Sequence, residues 1–384
     1  MVNLLTVFMY IPRKQLTRLK QLVAPNKVAV IYGPRRCGKT TLLKKYLETV
    51  KRKYLFVSGE DIIVQNYLGS QSIEKIKDFI GRRRLLVIDE AQKIPAIGAN
   101  LKLVVDHLPG VSVIAIGSSA FDLAREVGEP LTGRKYTVLL FLLAQMEIGQ
   151  IENRADIDAH LESRLIYGSY PEVVVTGDDQ QRKLYLQEIV NSYLYKDILE
   201  LDGLRHAKKI VQLLQLLAFQ IGKEVSYTEL GAQLGMSKNT AEKYLDLLEK
   251  VFVLHRLTGF SRNLRKEVSK NPRYYFYDNG IRNTLINNMN PIALRDDIGM
   301  LWENYIMMER LKRQAYKGPV SNNYFWRTYN QKEIDLVEER GGKLFGYEIK
   351  WQGQSLRPPR EWAEAYHDSD YTVISRKNYL DFIT

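Results

Sequence analysis

The 384-residue sequence holds one cysteine, Cys37, so no intrachain disulfide can staple the fold. That usage points to a reducing, cytoplasmic setting. Proline (12) and glycine (25) are both sparse, and no low-complexity tract or internal repeat appears, which excludes collagenous, linker-dominated and solenoid architectures. Long apolar runs are also missing. The N-terminal "MVNLLTVFMYI" is too short to span a bilayer and lacks both a basic leader and a small-residue cleavage site. It reads as a leading strand, with Met9 as an alternative start, and no membrane association is expected.

What remains is the composition of a soluble globular protein, 45% hydrophobic and 26% charged. The chain is long enough for two or three compact units, each with its own core. The formal net charge is +12. Residues 1–150 carry 23 basic against 12 acidic side chains, residues 151–202 carry 5 against 11, and residues 203–275 carry 13 against 6. Two basic blocks fit contact with a polyanion, and they equally fit a solvated Lys/Arg surface.

"KVAVIYGPRRCGKTTLLKKYLETV" reads as a buried strand over 27–32, a glycine-bounded loop and a helix opening near Lys39. The loop matches G-x-x-x-x-G-K-[ST] in strand–loop–helix context. Gly33 and Gly38 let the backbone of Pro34, Arg35, Arg36 and Cys37 wrap so that successive N–H groups face phosphates at a helix N-terminus. Lys39 is expected to reach the β- and γ-phosphates of ATP. Thr40 supplies a hydroxyl to Mg²⁺, with Thr41 completing the turn.

"RRRLLVIDEAQKIP" gives a strand ending in Asp89-Glu90, at the carboxyl end where open α/β sheets bind ligands. Asp89 is assigned to the Mg²⁺ shell and Glu90 to orienting the attacking water. Ser118 and Ser119, after the strand "VSVIAIG", are either a polar sensor beside the γ-phosphate or a helix cap. Arg134 in "LTGRKY" is either an arginine finger serving a neighbouring subunit, with nucleotide at the interface of a homo-oligomer, or solvated surface.

The stretches "GPRRCGKTTLL", "LLVIDEAQ", "IGSSA", "LTGR", "YGSYPEVV" and "YFYDNGIRN" resemble the prokaryotic AAA-type ATPases whose P-loop domain precedes a C-terminal domain of uncharacterised function. The likeness runs over nearly the whole chain. It implies an AAA-type parallel-sheet domain that binds and hydrolyses ATP with Mg²⁺. "FLLAQMEI" (Phe141 to Ile148) departs from the Pro-Leu-Ser-type segment usual there, which touches the local turn and not the nucleotide site.

From Ile210 the pattern turns helical. Ser226 with Glu229 forms a capping box, Gly235 a turn, and Ser237 caps a second helix carrying Lys238, Asn239 and Lys243. "VFVLHRLTGF" then enters a wing. A winged helix is expected over 206–275, after a helical connector over 151–205 in which Tyr167, Tyr170, Tyr193 and Tyr195 pack. Its role is either DNA contact or docking between domains.

Within the last expected domain, 276–384, residues 298–384 read as helix, three strands, helix and strand, the order of the PD-(D/E)xK nuclease core, which the segment also resembles in residues. Glu303 lies on the first helix, Asp335 on the second strand, and Glu348 and Lys350 on the third. The period of two puts Glu348 and Lys350 on one face. Asp335 and Glu348, with Glu303 as a further acidic contact, can hold one or two Mg²⁺ ions while Lys350 stabilises developing charge. The plain alternative is a half-exposed strand bearing Glu and Lys. The expected fold is therefore α/β: a P-loop ATPase domain over 1–150, a winged helix, and a restriction-endonuclease-like domain acting on DNA. The rival is an ATP-switched regulatory or docking protein whose second half is catalytically silent.

Overall fold

The computed structural model describes residues 10–117, 131–192, 207–261, 271–353 and 357–384. The expected leading strand and Ser118, Ser119, Tyr193 and Tyr195 lie outside them. The chain forms two compact units, one of Pro12–Leu142 with Lys250–Phe252, the other holding Leu143–Glu249 and Val253–Thr384. The first boundary thus falls at residue 142, eight residues before the one expected.

The first unit is built on a parallel sheet of five strands: β1 (Val28–Tyr32), β2 (Tyr54–Ser58), β3 (Leu85–Asp89), β4 (Ser112–Gly117) and β5 (Lys135–Leu139), in the order β2-β3-β4-β1-β5. The central strands are continuous apolar runs rather than alternating ones, because helices cover both faces. Leu85 to Ile88 and Val113 to Ile116 are all buried. Parallel strands all point their carboxyl ends one way, so the loop after β1 and the acidic pair after β3 share one end of the sheet.

The second unit holds a six-stranded mixed sheet of order β11-β10-β9-β8-β6-β7. Its strands are β6 (Leu254–Gly259), β7 (Arg273–Phe276), β8 (Asn322–Arg327), β9 (Glu333–Arg340), β10 (Lys343–Ile349) and β11 (Asp370–Ile374). β8, β9 and β10 form an antiparallel meander, and β11 returns parallel to β10 after the helix Arg360–Ala365. The long helix Ile298–Lys317 precedes the meander.

A separate winged-helix domain ending at residue 275 does not match this sheet. That boundary cuts through β7, and β6, paired with β7 on one side, pairs with β8 on the other. The helices Tyr227–Leu234 and Lys238–Lys250 form as expected, with Ser226 accepting from Glu229 N–H and Ser237 from Thr240 N–H. Their hairpin, however, extends the C-terminal sheet. Much of the expected wing, residues 262–270, lies outside the described residues.

Two of the quoted motifs hold this unit together. "YGSYPEVV" ends the helix Arg154–Tyr167, and "YFYDNGIRN" opens the helix Asn279–Leu285. Asp278 caps the second helix through Ile281 N–H and also accepts from Ser169 N–H at 2.7 Å. Asn283 Nδ2 donates to the carbonyls of Leu165 and Ile166. Burial pushes the Asp278 carboxyl up to about 6, against the backbone N–H groups that favour its charge. Gly168 makes the joint possible: its φ of 79° and ψ of −156° suit glycine alone, and a Cβ there would lie 2.1 Å from Asp278 Oδ1. Gly168→Ala is expected to cost about 2–4 kcal/mol, from backbone strain plus the clash. Urea unfolding followed by circular dichroism measures it; a loss below about 0.5 kcal/mol contradicts this account of the joint.

Candidate functional site

The loop after β1 runs from Gly33 to Gly38 and delivers the helix Lys39–Leu47. Gly33 has φ 155°, and a Cβ on it would stand 1.9 Å from Leu140 O, so the loop backs directly onto the segment that leaves β5. Cys37 is fully buried and its thiol points to Leu140 O at 3.4 Å. Only its backbone is therefore available to a phosphate; the side chain belongs to the loop's underside.

The loop is held from below by a residue that the motif does not announce. Arg13 is buried and its guanidinium donates to Cys37 O at 2.6 Å and to Phe141 O at 2.5 Å. Gln15 Nε2 donates to Leu139 O nearby. The signal available in sequence was "IPRK", a short basic stretch with no known spacing to the loop. Lysine at this position reaches one carbonyl instead of two, so Arg13→Lys is expected to weaken ATP binding by about tenfold, roughly one charge-assisted hydrogen bond. Titration with a fluorescent ATP analogue checks it, and unchanged affinity would contradict it.

Lys39 is buried, and its ammonium donates to Gly33 O (3.0 Å) and Pro34 O (2.8 Å) of its own loop. Thr40 Oγ1 donates to Asp89 Oδ2 at 3.0 Å, which brings together the hydroxyl and carboxylate assigned to one magnesium shell. Asp89 Oδ1 accepts from Glu90 N–H at 3.0 Å. Glu90 sits in the left-handed region at φ 50° and accepts from Gln92 Nε2, so its carboxylate is aimed by a strained backbone. Arg35 is half-buried, whereas Arg36 and Thr41 are exposed. Arg134 is held by Asp106 at 2.8 Å, with its side chain 44% exposed.

In the second unit the structure brings Glu303, Asp335, Glu348 and Lys350 together. Asp335 is placed by a β-bulge: Tyr324 pairs with Val337 and Trp326 with Ile334, so Asp335 and Leu336 both oppose Phe325. Such an extra residue re-aims a side chain. Asp335 Oδ2 accepts from Ile349 N–H at 2.8 Å. Lys350 Nζ lies 2.6 Å from Glu348 Oε1 and 3.9 Å from Asp335 Oδ2.

Two further residues, both from β7, complete the cluster, and sequence reasoning missed them. Arg273 stacks on Phe325 and reaches Glu333 at 2.7 Å and Asp335 at 3.9 Å. Tyr275 donates to Glu303 Oε1 at 2.7 Å. They are two apart on one strand, so they share a face. The hairpin supplies them only because it joins this sheet, a long-range pairing that local pattern does not reveal.

Burial, and next to it the negative charge of Asp335, pushes Glu303 up to about 8 and Glu348 up to about 7. Burial also raises Asp335. Burial opposes the charge on Lys350, but Asp335 and Glu348 outweigh it and keep the ammonium protonated. Among the described residues, Glu348 Oε2 is buried with no hydrogen-bond partner. This donor set is hard oxygen, suited to Mg²⁺ or Mn²⁺. Among the described residues, no three His, Cys, Asp or Glu side chains are closed around one point as a ready cage; Lys350 and Arg273 bridge the carboxylates instead. A cleft of about 760 Å³ opens beside Glu348, lined also by Lys332, Arg357, Arg360 and Tyr371.

Three family models match consecutive parts of the chain: an AAA domain over residues 25–149, the domain of unknown function DUF8612 over 158–291, and the domain of unknown function DUF4143 over 298–380. An uncharacterized protein of Mycobacterium tuberculosis is 27% identical over 343 residues, covering 88% of this chain and 73% of its own. One from Haemophilus influenzae is 23% identical over 392 residues, covering 95% and 90%. Among solved structures, a Walker-type ATPase of Pyrococcus abyssi aligns over 72% of this chain and 96% of its own, with 15% identity and a TM-score of 0.49. Sequence match, strand order and loop geometry agree: the first unit carries an AAA-type P-loop ATPase domain. Among the described residues no helix is long and apolar enough to cross a membrane.

Proposed function

We propose that this protein is a Mg²⁺-dependent ATPase whose second unit acts on DNA, through a winged-helix contact and a metal-dependent nuclease-like centre. The observation that carries the reading is the convergence of Asp335, Glu348 and Lys350 on a helix–β–β–β–helix–β frame, with Glu303 from the leading helix. Asp335 and Glu348 would hold the ion, and Thr40 with Asp89 the one bound to ATP. A divalent ion held there would supply an activated water and offset charge on the phosphate. Lys350, kept protonated by its neighbours, stabilises that charge from the same strand face. Lys238, Asn239 and Lys243 are exposed on the second helix of the pair, which suits them to phosphate contact.

A second reading has its own support. Arg273 and Lys350 already neutralise the carboxylates, an arrangement that also suits a silent scaffold in an ATP-switched docking protein. Incubating the full chain with single-stranded, duplex, nicked and branched DNA, with and without ATP and with Mg²⁺ or Mn²⁺, decides between them. Metal-dependent cleavage of any form supports the first reading; intact DNA throughout supports the second.

A further inference from the structure

Two basic tripeptides lie far apart in sequence and side by side in the first unit. "KRK" (Lys51 to Lys53) enters β2, and "RRR" (Arg82 to Arg84) enters β3. The strands are parallel and paired, Tyr54 with Leu85, and Arg84 N–H donates to Lys53 O. Six cations therefore meet at the amino ends of β2 and β3. The ATP loop and Asp89 sit at the carboxyl ends, so this is a separate surface.

Five of the six, all but Arg52, are exposed. Arg52, Arg83 and Arg84 donate to Ser112 Oγ, Ile80 O and Pro109 O, neutral acceptors that leave their charge uncompensated. None of the six forms an ion pair among the described residues. Concentrating this much like charge raises the local potential and costs self-repulsion, which an anionic partner relieves.

The neighbouring strand narrows the partner. β2 is the edge of its sheet, and its outward residues Tyr54 and Phe56 are 41% and 40% exposed, large aromatics directly beyond the cations. Positive charge that tracks a backbone, beside aromatic faces open to bases, is the chemistry of single-stranded nucleic-acid binding. A membrane interface also takes aromatic rings and basic charge, so vesicle binding is the competing outcome of the test below.

We propose that the β2–β3 entry surface of the ATPase unit binds single-stranded nucleic acid, with Lys51, Lys53 and Arg82 on phosphates and Tyr54 and Phe56 against bases. The inference rests on the nucleic-acid reading above but uses none of its residues. The test is fluorescence anisotropy of a labelled oligothymidylate of about 20 nucleotides, titrated with the full chain at several salt concentrations. One variant combines Lys51→Ser, Lys53→Ser and Arg82→Ser, sparing the three arginines bonded within the fold. It is expected to bind at least about tenfold more weakly and to lower the salt slope by about 2, at roughly 0.7 per single-strand phosphate. Tyr54→Ala with Phe56→Ala is expected to weaken binding at least about fivefold with the slope unchanged. ATP hydrolysis without DNA and the melting temperature should stay at wild-type values in both, which guards against misfolding.

If the triple variant binds like wild type while Lys238→Ser with Lys243→Ser loses binding, this surface is wrong and the winged-helix contact stands. If wild type ignores the oligothymidylate at low salt but binds vesicles containing phosphatidylserine, this surface meets a membrane and the proposal falls, while cleavage of duplex, nicked or branched DNA tests the other reading by itself.

Discussion

Lys39→Ala is expected to lower ATP hydrolysis by about two to three orders of magnitude, the usual consequence of removing one preorganised donor from a developing oxyanion. The ammonium is buried and committed to two carbonyls of its own loop, Gly33 O and Pro34 O. The γ-phosphate offers stronger acceptors than two neutral carbonyls, so the lysine exchanges partners without leaving the concavity. Alanine leaves the backbone cradle in place, because Arg13 and Leu140 hold the loop from beneath. Binding should weaken less than turnover does. Phosphate release at saturating ATP gives the rate and the fluorescent analogue gives the affinity; turnover within twofold of wild type would remove the assignment.

The features that local chemistry dictates were legible in the sequence. The P-loop is a contiguous string whose glycines, lysine and threonine each have one job, and β3 is an apolar run whose end marks Asp89. Glu348 and Lys350 were readable as a pair from the period of two. What could not be read were contacts that depend on strand order. Arg13 acts on residues 24 and 128 positions away. Arg273 acts on Glu333, 60 positions away, only because the β6–β7 hairpin joins the β8–β11 sheet through β6. The domain cut at 275 failed for the same reason: a hairpin looks local in sequence, yet its free edge can pair with any strand. "YGSYPEVV" and "YFYDNGIRN" were recognisable as motifs, while their work, a mutual capping joint through Asp278, needed the fold.

On the proposed nuclease reading, Asp335→Asn is expected to abolish metal-dependent DNA cleavage, a loss of at least about a hundredfold, while ATP hydrolysis persists. Asparagine is the informative replacement because it keeps the side chain's shape and its acceptor for Ile349 N–H, the bond that pins the bulge. What it removes is the charge at the centre of the cluster. That charge faces Lys350 on one side and Arg273 on the other, and it adds to burial in pushing Glu303 and Glu348 up. Without it, two cations face one fewer carboxylate, and a divalent ion held by this cluster would lose one of its ligands. Mn²⁺ binding followed by electron paramagnetic resonance should weaken in parallel with cleavage. The melting temperature should fall without loss of the fold, because buried Arg273 loses one carboxylate but keeps Glu333 at 2.7 Å. Parallel loss of Mn²⁺ binding and cleavage with an intact fold ties the chemistry to this carboxylate. Wild-type cleavage in the variant would place the cutting outside this cluster and leave Asp335 as a structural pin of the β-bulge with Arg273 as its counter-ion.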